Sequence, residues 1–429
     1  MVEQDKEYVL VTEYFHPDTA STGQLMTELA VGLRDRGLNL TVYTGQPNYH
    51  SGNNEQQDRV TIHEGVPVKR IRAPQVRQSS LGRRLFNWLI FTGWMAIALL
   101  VSDAEADHEV IFVSNPPMLP IAMWIVCRLR GWEYTYIAHD LYPDQPVELG
   151  YIEESGLVDR VWSFLQLHAY RDARRIVALG PVMRDRIIEH AGEGFDGERV
   201  SVIHNWADER FITPISKENN WFSREHDLLD SFTVLYSGNI GEFHDLETVV
   251  RAASNFEDRN VRILVIGEGD NKQSIVDLAE DLGLRGDTVR FLPYQPRDDL
   301  PYSLTAADVS VVAVREGFEG VCVSSKLYTA MATGQPVLGI AQPYDDESRI
   351  IDAFDAGNHV PQSDVEGVVE AIERWRTDPE LLAQQGRNAR AAFERRFTKD
   401  RSIDEYYQLL TDEEAPQRAE RETAASIAT

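Results

Sequence analysis

Hydrophobic positions along the chain fall into two recurring patterns, short continuous runs and stretches with apolar residues three and four apart. They predict strands alternating with amphipathic helices. The opening sets the unit: "YVLVTEY" (Tyr8 to Tyr14) reads as a strand, "FHPDTASTG" as a loop, "QLMTELAVGLRDRG" as a helix and "LNLTVYTG" as the next strand. The pattern returns in the strand "EVIFVSNPP" (Glu109 to Pro117), the helix "PIAMWIVCRLRG" and the strand "EYTYIAHD", followed by "RRIVALG" and "RVSVIHN". Strands separated by helices imply a parallel sheet, and ligands then collect in the loops at the strands' C-terminal ends.

The alternation stops over residues 208–231, a polar and irregular stretch that reads as an interdomain connection. It starts afresh with "FTVLYSGNIG", a helix from about Asp245, "VRILVIGEGD", a helix from about Lys272, "TVRFLPY", "DVSVVAV" and "QPVLGIA". Helical stretches "VEGVVEAIERWR" and "PELLAQQGRNARAAFERRF" follow. The fold class is therefore α/β, with two doubly wound, Rossmann-like domains of similar size facing each other across a central cleft. Residues 1–207 form the first, 232–397 the second, 398–412 a helix packing back on the first, and 413–429 a disordered tail.

One segment does not suit a soluble domain. "LFNWLIFTGWMAIALLV" (Leu85 to Val101) is apolar on every side apart from Asn87 and Thr92, and Arg83 and Arg84 precede it. Its length is near the lower bound for a membrane span, yet a span here would cut the first sheet in two. Three readings are open: a helix lying in the bilayer interface, a buried core helix, and a span. Membrane association is the working inference.

Composition changes the picture in two respects. The 429 residues carry a net charge of −27, and only six are lysines: Lys6, Lys69, Lys217, Lys272, Lys326 and Lys399. Such an acidic, lysine-poor surface around a 43 % hydrophobic chain suits a cytoplasm with molar salt, where screening shortens self-repulsion. A halophilic, haloarchaeal source is expected, the alternative being a merely acidic mesophilic protein. The same charge repels nucleic acid, so no such partner is expected. Cys127 and Cys322 lie far apart in apolar contexts, which excludes a disulfide framework and a CxxC metal site. The N-terminus lacks a basic region followed by an apolar core, so no signal peptide is expected.

Against this scarcity, "EGVCVSSKLYTAMATGQPVLGIA" (Glu319 to Ala341) places a lysine where a Gly-containing loop becomes a helix. Ser324 and Ser325 are good N-cap residues, and Gly334 and Pro336 end the helix. Lys326 in a first turn opposes the helix dipole unless an anion is bound, which makes it a candidate phosphate ligand. "SGNIGEFHD" (Ser237 to Asp245), with Gly238 and Gly241, and "GEGDNK" (Gly267 to Lys272) follow strands of the same sheet, and the second puts Lys272 at a helix start. Neither is a dinucleotide fingerprint, since Lys272 stands where the third glycine belongs. Three loops on one sheet edge point to a diphosphate site.

"GEGDNK", "VRFLPYQPRDDLPYSLTAADVSVV" and "SSKLYTAMATGQPVLG" together resemble the C-terminal donor domain of family 4 glycosyltransferases with the GT-B fold. More narrowly, they resemble the subgroup of bacterial exopolysaccharide transferases of the colanic-acid type. "EYFHPDTASTGQLMTELAVGLRDRGLNLTVYTGQPNYHSG" and "YIAHDLYPDQPVELG" extend the likeness to the first domain. The resemblance implies a sugar moved from a nucleotide diphosphate sugar with retention at the anomeric carbon, and no metal or other cofactor. By it, Gly238, Asn239 and Gly241 approach the donor phosphates, Lys272 and Lys326 neutralise them, and Ser325 completes the cradle. Leu292, Pro293 and Tyr294 would lie beside the base. His139 and Asp140 match the acceptor-side histidine motif as catalytic candidates, and Thr22 and Gly23 match the first glycine-bearing loop.

The chain departs from the family in its glutamate pair. Thr329 stands where the second glutamate precedes Ala-Met-Ala, the first falls near Val321, and Glu319 is the nearest acid to serve the donor sugar. His244 stands for the usual basic residue of the first donor loop. The leading expectation is a transferase acting on a lipid-linked acceptor of polyprenyl or dolichol type at the cytoplasmic membrane face. The acceptor would be met through Leu85 to Val101, with Arg83, Arg84, Arg128 and Arg130 near lipid phosphates. A sugar-nucleotide 2-epimerase of the same fold and a non-catalytic sugar-nucleotide binder are the alternatives. A two-domain nicotinamide dehydrogenase is opposed by the missing GxGxxG.

Overall fold

The structure is a computed structural model and describes residues 6–18, 20–47, 57–72, 81–102, 108–256, 260–286 and 288–411. The tail expected to be disordered lies outside the described residues. The chain divides into two compact units, residues 1–204 with 400–429, and residues 205–399.

The first unit begins with β1 (Glu7–Val11), α1 (Ser21–Asp35), β2 (Leu40–Thr44), β3 (Val60–His63), β4 (Val66–Arg70) and α2 (Leu81–Leu100). It continues with β5 (His108–Val113), α3 (Leu119–Arg130), β6 (Glu133–Ala138), α4 (Asp144–Glu148), α5 (Leu157–Arg171), β7 (Arg175–Ala178), α6 (Pro181–Ala191) and β8 (Val200–Val202). Its sheet runs in the order β3-β4-β2-β1-β5-β6-β7-β8, parallel apart from the β3–β4 pair. Order reverses between β1 and β5, where a parallel sheet opens its crevice. All six residues of β5 are buried, which explains its unbroken apolar run in sequence. His108 and Glu109 are the exceptions at its start: Lys6 answers Glu109 at 2.9 Å, and His108 meets Glu7 at 2.9 Å.

The second unit opens with α7 (Trp221–Glu225), β9 (Phe232–Ser237), α8 (Glu247–Ala252), β10 (Val261–Ile266), α9 (Lys272–Asp281) and β11 (Val289–Leu292). It closes with α10 (Leu300–Leu304), β12 (Val309–Ala313), α11 (Lys326–Ala332), β13 (Val337–Ile340), α12 (Asp346–Ala353), β14 (Gly357–Val360), α13 (Val365–Thr377) and α14 (Pro379–Arg396). The sheet order β11-β10-β9-β12-β13-β14 is wholly parallel and reverses between β9 and β12. Val234, Val265, Val311 and Leu338 line its core.

Residues 208–231, read from sequence as a connection, fold onto the second unit. Asn220 caps α7 by accepting from Phe222 N at 2.9 Å and donates to Tyr302 O at 2.7 Å. Phe222 and Leu228 are fully buried there. The last helix, α15 (Lys399–Thr411), packs on α1 and β1: Tyr8 donates to Leu410 O at 3.0 Å, and a Cβ on Gly32 would stand 2.5 Å from Ile403 Cδ1.

No helix among the described residues is long and apolar enough to cross a membrane, so α2 does not span one. Nor is it a wholly buried core helix. Phe91, Met95 and Leu99 are buried together with Asn87 and Thr92, whereas Leu85, Phe86, Leu89, Trp94 and Ile97 are exposed.

Candidate functional site

The loops that follow β9, β10 and β12 meet at the reversal point of the second sheet because those strands are neighbours or next neighbours. Glycines decide how closely. A Cβ on Gly267 (φ +147°) would sit 1.9 Å from Gly238 O, and one on Gly269 (φ +156°) 2.3 Å from Ile240 O. The glycines of "GEGDNK" therefore press one loop's backbone against the other's. Hydrogen bonds from Ile240 N to Glu268 O (2.9 Å) and from Asn271 N to Ile240 O (3.0 Å) lock the pair.

Gly238 (φ +136°) leaves the space that Lys326 fills, since a Cβ there would lie 2.6 Å from Lys326 Cε. The lysine crosses the loop after β9, its Nζ 3.0 Å from His244 Nε2 and 5.4 Å from the centre of the Tyr236 ring. Gly241 N–H donates to His244 Nδ1 at 3.0 Å, so in a neutral ring Nε2 carries the hydrogen and cannot accept from the Lys326 ammonium, which faces it donor to donor. Burial holds His244 well below its ordinary range, helped by the Lys326 charge. Burial likewise pulls Lys326 down to about 8, with Cys322 and Glu347 acting in the opposite sense.

The contrast with the other lysines is informative. Lys6, Lys217, Lys272 and Lys399 each pair with a carboxylate, to Glu109, Asp308, Glu268 and Asp208 respectively. Exposed Lys69 rests on the Tyr43 hydroxyl. Lys326 makes no ion pair among the described residues. A half-buried ammonium without a counter-ion is costly, and an incoming anion removes that cost.

Lys272 is placed differently from the expectation that it faces the phosphates. Its Nζ donates to Gly267 O at 2.9 Å and to Glu268 Oε1 at 2.8 Å, which ties it to its own loop. Ser325 opens α11 in a helical conformation and makes no side-chain cap bond, and α11 is only seven residues long. The lysine and the loops thus weigh more here than a helix end. Gly241 N–H is occupied by His244. Asn239 lies in the same loop, where its carbonyl accepts from the Tyr236 hydroxyl at 2.6 Å. Leu292, Pro293 and Tyr294 follow the edge strand β11, and Tyr294 reaches back to Glu268 O at 3.3 Å.

Glu319 is buried in the loop after β12. One carboxylate oxygen accepts from Gly317 N at 3.0 Å and the other has no partner. Beside it lie two acids that the sequence reading did not single out. Glu347 accepts from Ser324 N at 2.7 Å, fixing the chain two residues before Lys326. Asp345 caps α12 through Asp346 N at 2.8 Å. Burial pushes Asp345 up to about 7 and Glu347 well above the usual carboxylate range. Three acids in "YDDES" look like a solvated turn, and only their burial reveals otherwise.

In the first unit, the loops after β5 and β6 are joined through Ser114, whose Oγ accepts from His139 N at 3.0 Å and Asp140 N at 2.9 Å. His139 is buried with Nε2 unpartnered, and desolvation lowers it to about 4, so the ring is neutral. Desolvation raises Asp140 to about 6. Thr22 and Gly23 lie in the first turn of α1; a Cβ on Gly23 would stand 3.1 Å from Tyr14 Cβ, which lets the helix start close to the loop after β1. In that loop Glu13 went unnoticed in the sequence. It is buried, pushed up to about 8, and has one oxygen without a partner.

Residues 22–206 match the glycosyl transferase 4-like domain, and residues 218–392 match glycosyl transferases group 1. Among curated proteins, WcaI of Escherichia coli K12, assigned to colanic acid biosynthesis as a glycosyl transferase, is 24 % identical over 91 % of this chain and 96 % of its own. WbjE of Pseudomonas aeruginosa, described as a glycosyltransferase, is 26 % identical over 66 % of this chain and 70 % of its own. Among solved structures, sucrose-phosphate synthase of Thermosynechococcus elongatus aligns with a TM-score of 0.75 at 16 % identity, over 98 % of this chain and 100 % of its own. HepE of Anabaena, solved with UDP-glucose, aligns at 0.70 and 15 % identity, over 94 % and 99 %. The fold is GT-B, as the sequence suggested.

Proposed function

We propose, for a chain that is a glycosyltransferase with a 4-like and a group 1 domain and a nucleotide sugar as donor, that its acceptor is a lipid-linked molecule of polyprenyl or dolichol type. Transfer takes place at the cytoplasmic face of the membrane, with retention, in glycoprotein glycan or surface polysaccharide assembly. The observation that carries the donor half of this reading is Lys326, held at the reversal point of the second sheet without a carboxylate partner.

In the transfer, the bond from the anomeric carbon to the diphosphate oxygen breaks and its electron pair leaves with the phosphate. The acceptor oxygen bonds to the same face of the sugar, and its proton passes to the departing phosphate. Lys326 meets the charge that develops on the leaving group, with Gly238, Asn239, Gly241 and Ser325 shaping the loops around it, so the protein supplies the cation and needs no metal. Lys272 joins when the donor displaces Glu268. Tyr294 flanks the base with Leu292 and Pro293, and Glu319 offers its unpartnered oxygen to a sugar hydroxyl. His139, Asp140, Thr22 and Gly23 serve the acceptor side; a neutral His139 accepts a hydroxyl hydrogen on Nε2.

The open apolar side of α2 supports a lipid acceptor and membrane association, and favours a transferase over a 2-epimerase, which has no use for such a face. The protein is incubated in molar potassium chloride with labelled nucleotide sugars and membrane lipid extract. Label from one donor in the organic phase supports the reading. Release of free nucleotide or an altered sugar nucleotide, without labelled lipid, rejects it.

A further inference from the structure

Twelve of the twenty large apolar residues exposed among the described residues lie on α2, α3 and α5 or at the end of α2. α3 packs against both α2 and α5, so their open faces adjoin. On α5 the exposed side chains are Leu157, Val158, Val161 and Phe164; on α3 they are Ile125 and Leu129. A surface this apolar is uncommon on a monomer without a use. Basic residues also gather there: α2 and α3 carry Arg83, Arg84, Arg128 and Arg130 and no acid, in a chain of 69 acids and 42 basic residues, although Arg128 pairs with Asp172 at 2.9 Å and α5 carries Asp159. That pairing of apolar and basic surface complements an anionic lipid.

At the edge of this face nearest the first sheet's C-terminal loops lies a pocket of about 380 Å³, lined by Met118, Leu157, Val158, Val161, Trp162 and Leu165. No polar surface interrupts its wall. Trp162 Nε1–H is shielded from solvent and has no acceptor. Both sides of the pocket connect to the loop of His139 and Asp140. Met118 ends the loop after β5, whose Ser114 Oγ holds both of their amides. Trp162 stacks on Tyr142 at 5.9 Å and 8°.

We infer that this pocket seats the first part of the hydrocarbon chain of the lipid acceptor, against the wholly apolar wall of Met118, Leu157, Val158, Val161, Trp162 and Leu165. The inference rests on the lipid-linked acceptor proposed above. It adds a chain-recognising site beside the acceptor-side residues, at the α5 edge of the broad face that meets the bilayer. Recognition here is hydrophobic and sets a preference for acceptors with a long chain.

The probe is farnesyl phosphate, titrated calorimetrically into the full chain in molar potassium chloride, with inorganic phosphate as control. The wild type binds farnesyl phosphate and shows no measurable heat with inorganic phosphate. Val161→Asp, at a half-exposed position that tolerates a charge, weakens binding at least tenfold with an unchanged melting temperature. Trp162→Ala, which removes the ring from the wall and from its stack on Tyr142, weakens it several-fold. Flotation on phosphatidylglycerol vesicles tests the membrane reading separately: Leu89→Asp with Trp94→Asp, on α2 and outside the pocket lining, abolishes flotation and leaves farnesyl phosphate binding intact. Equal affinity of Val161→Asp and wild type overturns the pocket, as does a wild type that ignores farnesyl phosphate. A wild-type dimer that Val161→Asp dissociates also overturns it, by making the face an interface between copies. A wild type that binds farnesyl phosphate and fails to float overturns only the membrane reading.

Discussion

Replacing Lys326 with alanine removes the one lysine of the second unit that, among the described residues, has no carboxylate partner. Its Nζ touches His244 at 3.0 Å and lies over Tyr236, and both neighbours are neutral. A hydrogen bond to a charged group contributes roughly 1.5–3 kcal/mol. Coulomb attraction between unit charges about 4 Å apart at an effective dielectric near 20 is about 4 kcal/mol, of which desolvation removes a part. The expected loss is therefore about 1.5–3 kcal/mol, or roughly ten- to more than a hundredfold in dissociation constant. Titration calorimetry with UDP measures it. The pH dependence adds a second signature. Burial lowers Lys326 to about 8, so the ammonium that attracts phosphate is lost as pH rises through that value. Wild-type affinity falls between pH 7 and 9, and the alanine variant is flat over the same range. A bound diphosphate stabilises the ammonium, so binding near pH 8 takes up a proton. In the ligand-free protein, stability follows linkage: the depressed folded value penalises the charged form below about 8, and the alanine variant melts no lower than wild type at pH 7. An affinity within twofold of wild type, with the pH slope retained, refutes the role given to this lysine.

Three further outcomes are expected. Gly267→Ala places a Cβ 1.9 Å from Gly238 O at a φ of +147°, so it costs at least about 2 kcal/mol of stability in chemical denaturation and weakens UDP binding by displacing the loop after β9. Glu13→Gln separates from wild type with pH: a folded value near 8 against an ordinary 4.5 means the wild type loses stability as pH climbs through that window. Melting temperatures should coincide below pH 4.5, and the glutamine variant should exceed wild type above pH 8. With a net charge of −27, the melting temperature should rise as potassium chloride goes from about 0.1 to 2 M, where the screening length shrinks from about 10 Å to a few ångströms; a flat or falling curve counts against salt adaptation.

How much of this was legible in the sequence follows from where side chains end up. Buried parallel strands such as β5 and β12 announce themselves because both faces are covered and nearly every position is apolar, apart from His108, Glu109 and Ser310. The β3–β4 pair did not, because at the sheet edge β3 exposes Val60 and Ile62 and its pattern is mixed. Lys326 stood out because lysine is rare in this chain, and the second unit does set it apart from the rest. Lys272 looked equivalent from its place at a helix start; its pairing with Glu268 four residues earlier was readable as an i,i+4 contact. "GEGDNK" drew notice for Lys272 and its missing third glycine, whereas its two glycines make room for the neighbouring loop. Asp345 and Glu347 were invisible, since nothing in a polar run tells a buried carboxyl from a solvated one. α2 declared its apolar character but not its orientation, which depends on the partners of Phe91 and Met95 inside the fold.

The central claim is that the donor's diphosphate is bound where Lys326 crosses the loop after β9. A crystal structure of the protein grown with UDP tests it most directly. The expected density puts the phosphate oxygens within about 3 Å of Lys326 Nζ, with the amine turned from His244 Nε2 toward them and the base beside Leu292 to Tyr294. Phosphates bound in the first unit, or bound in the second while Lys326 stays on His244, would contradict it.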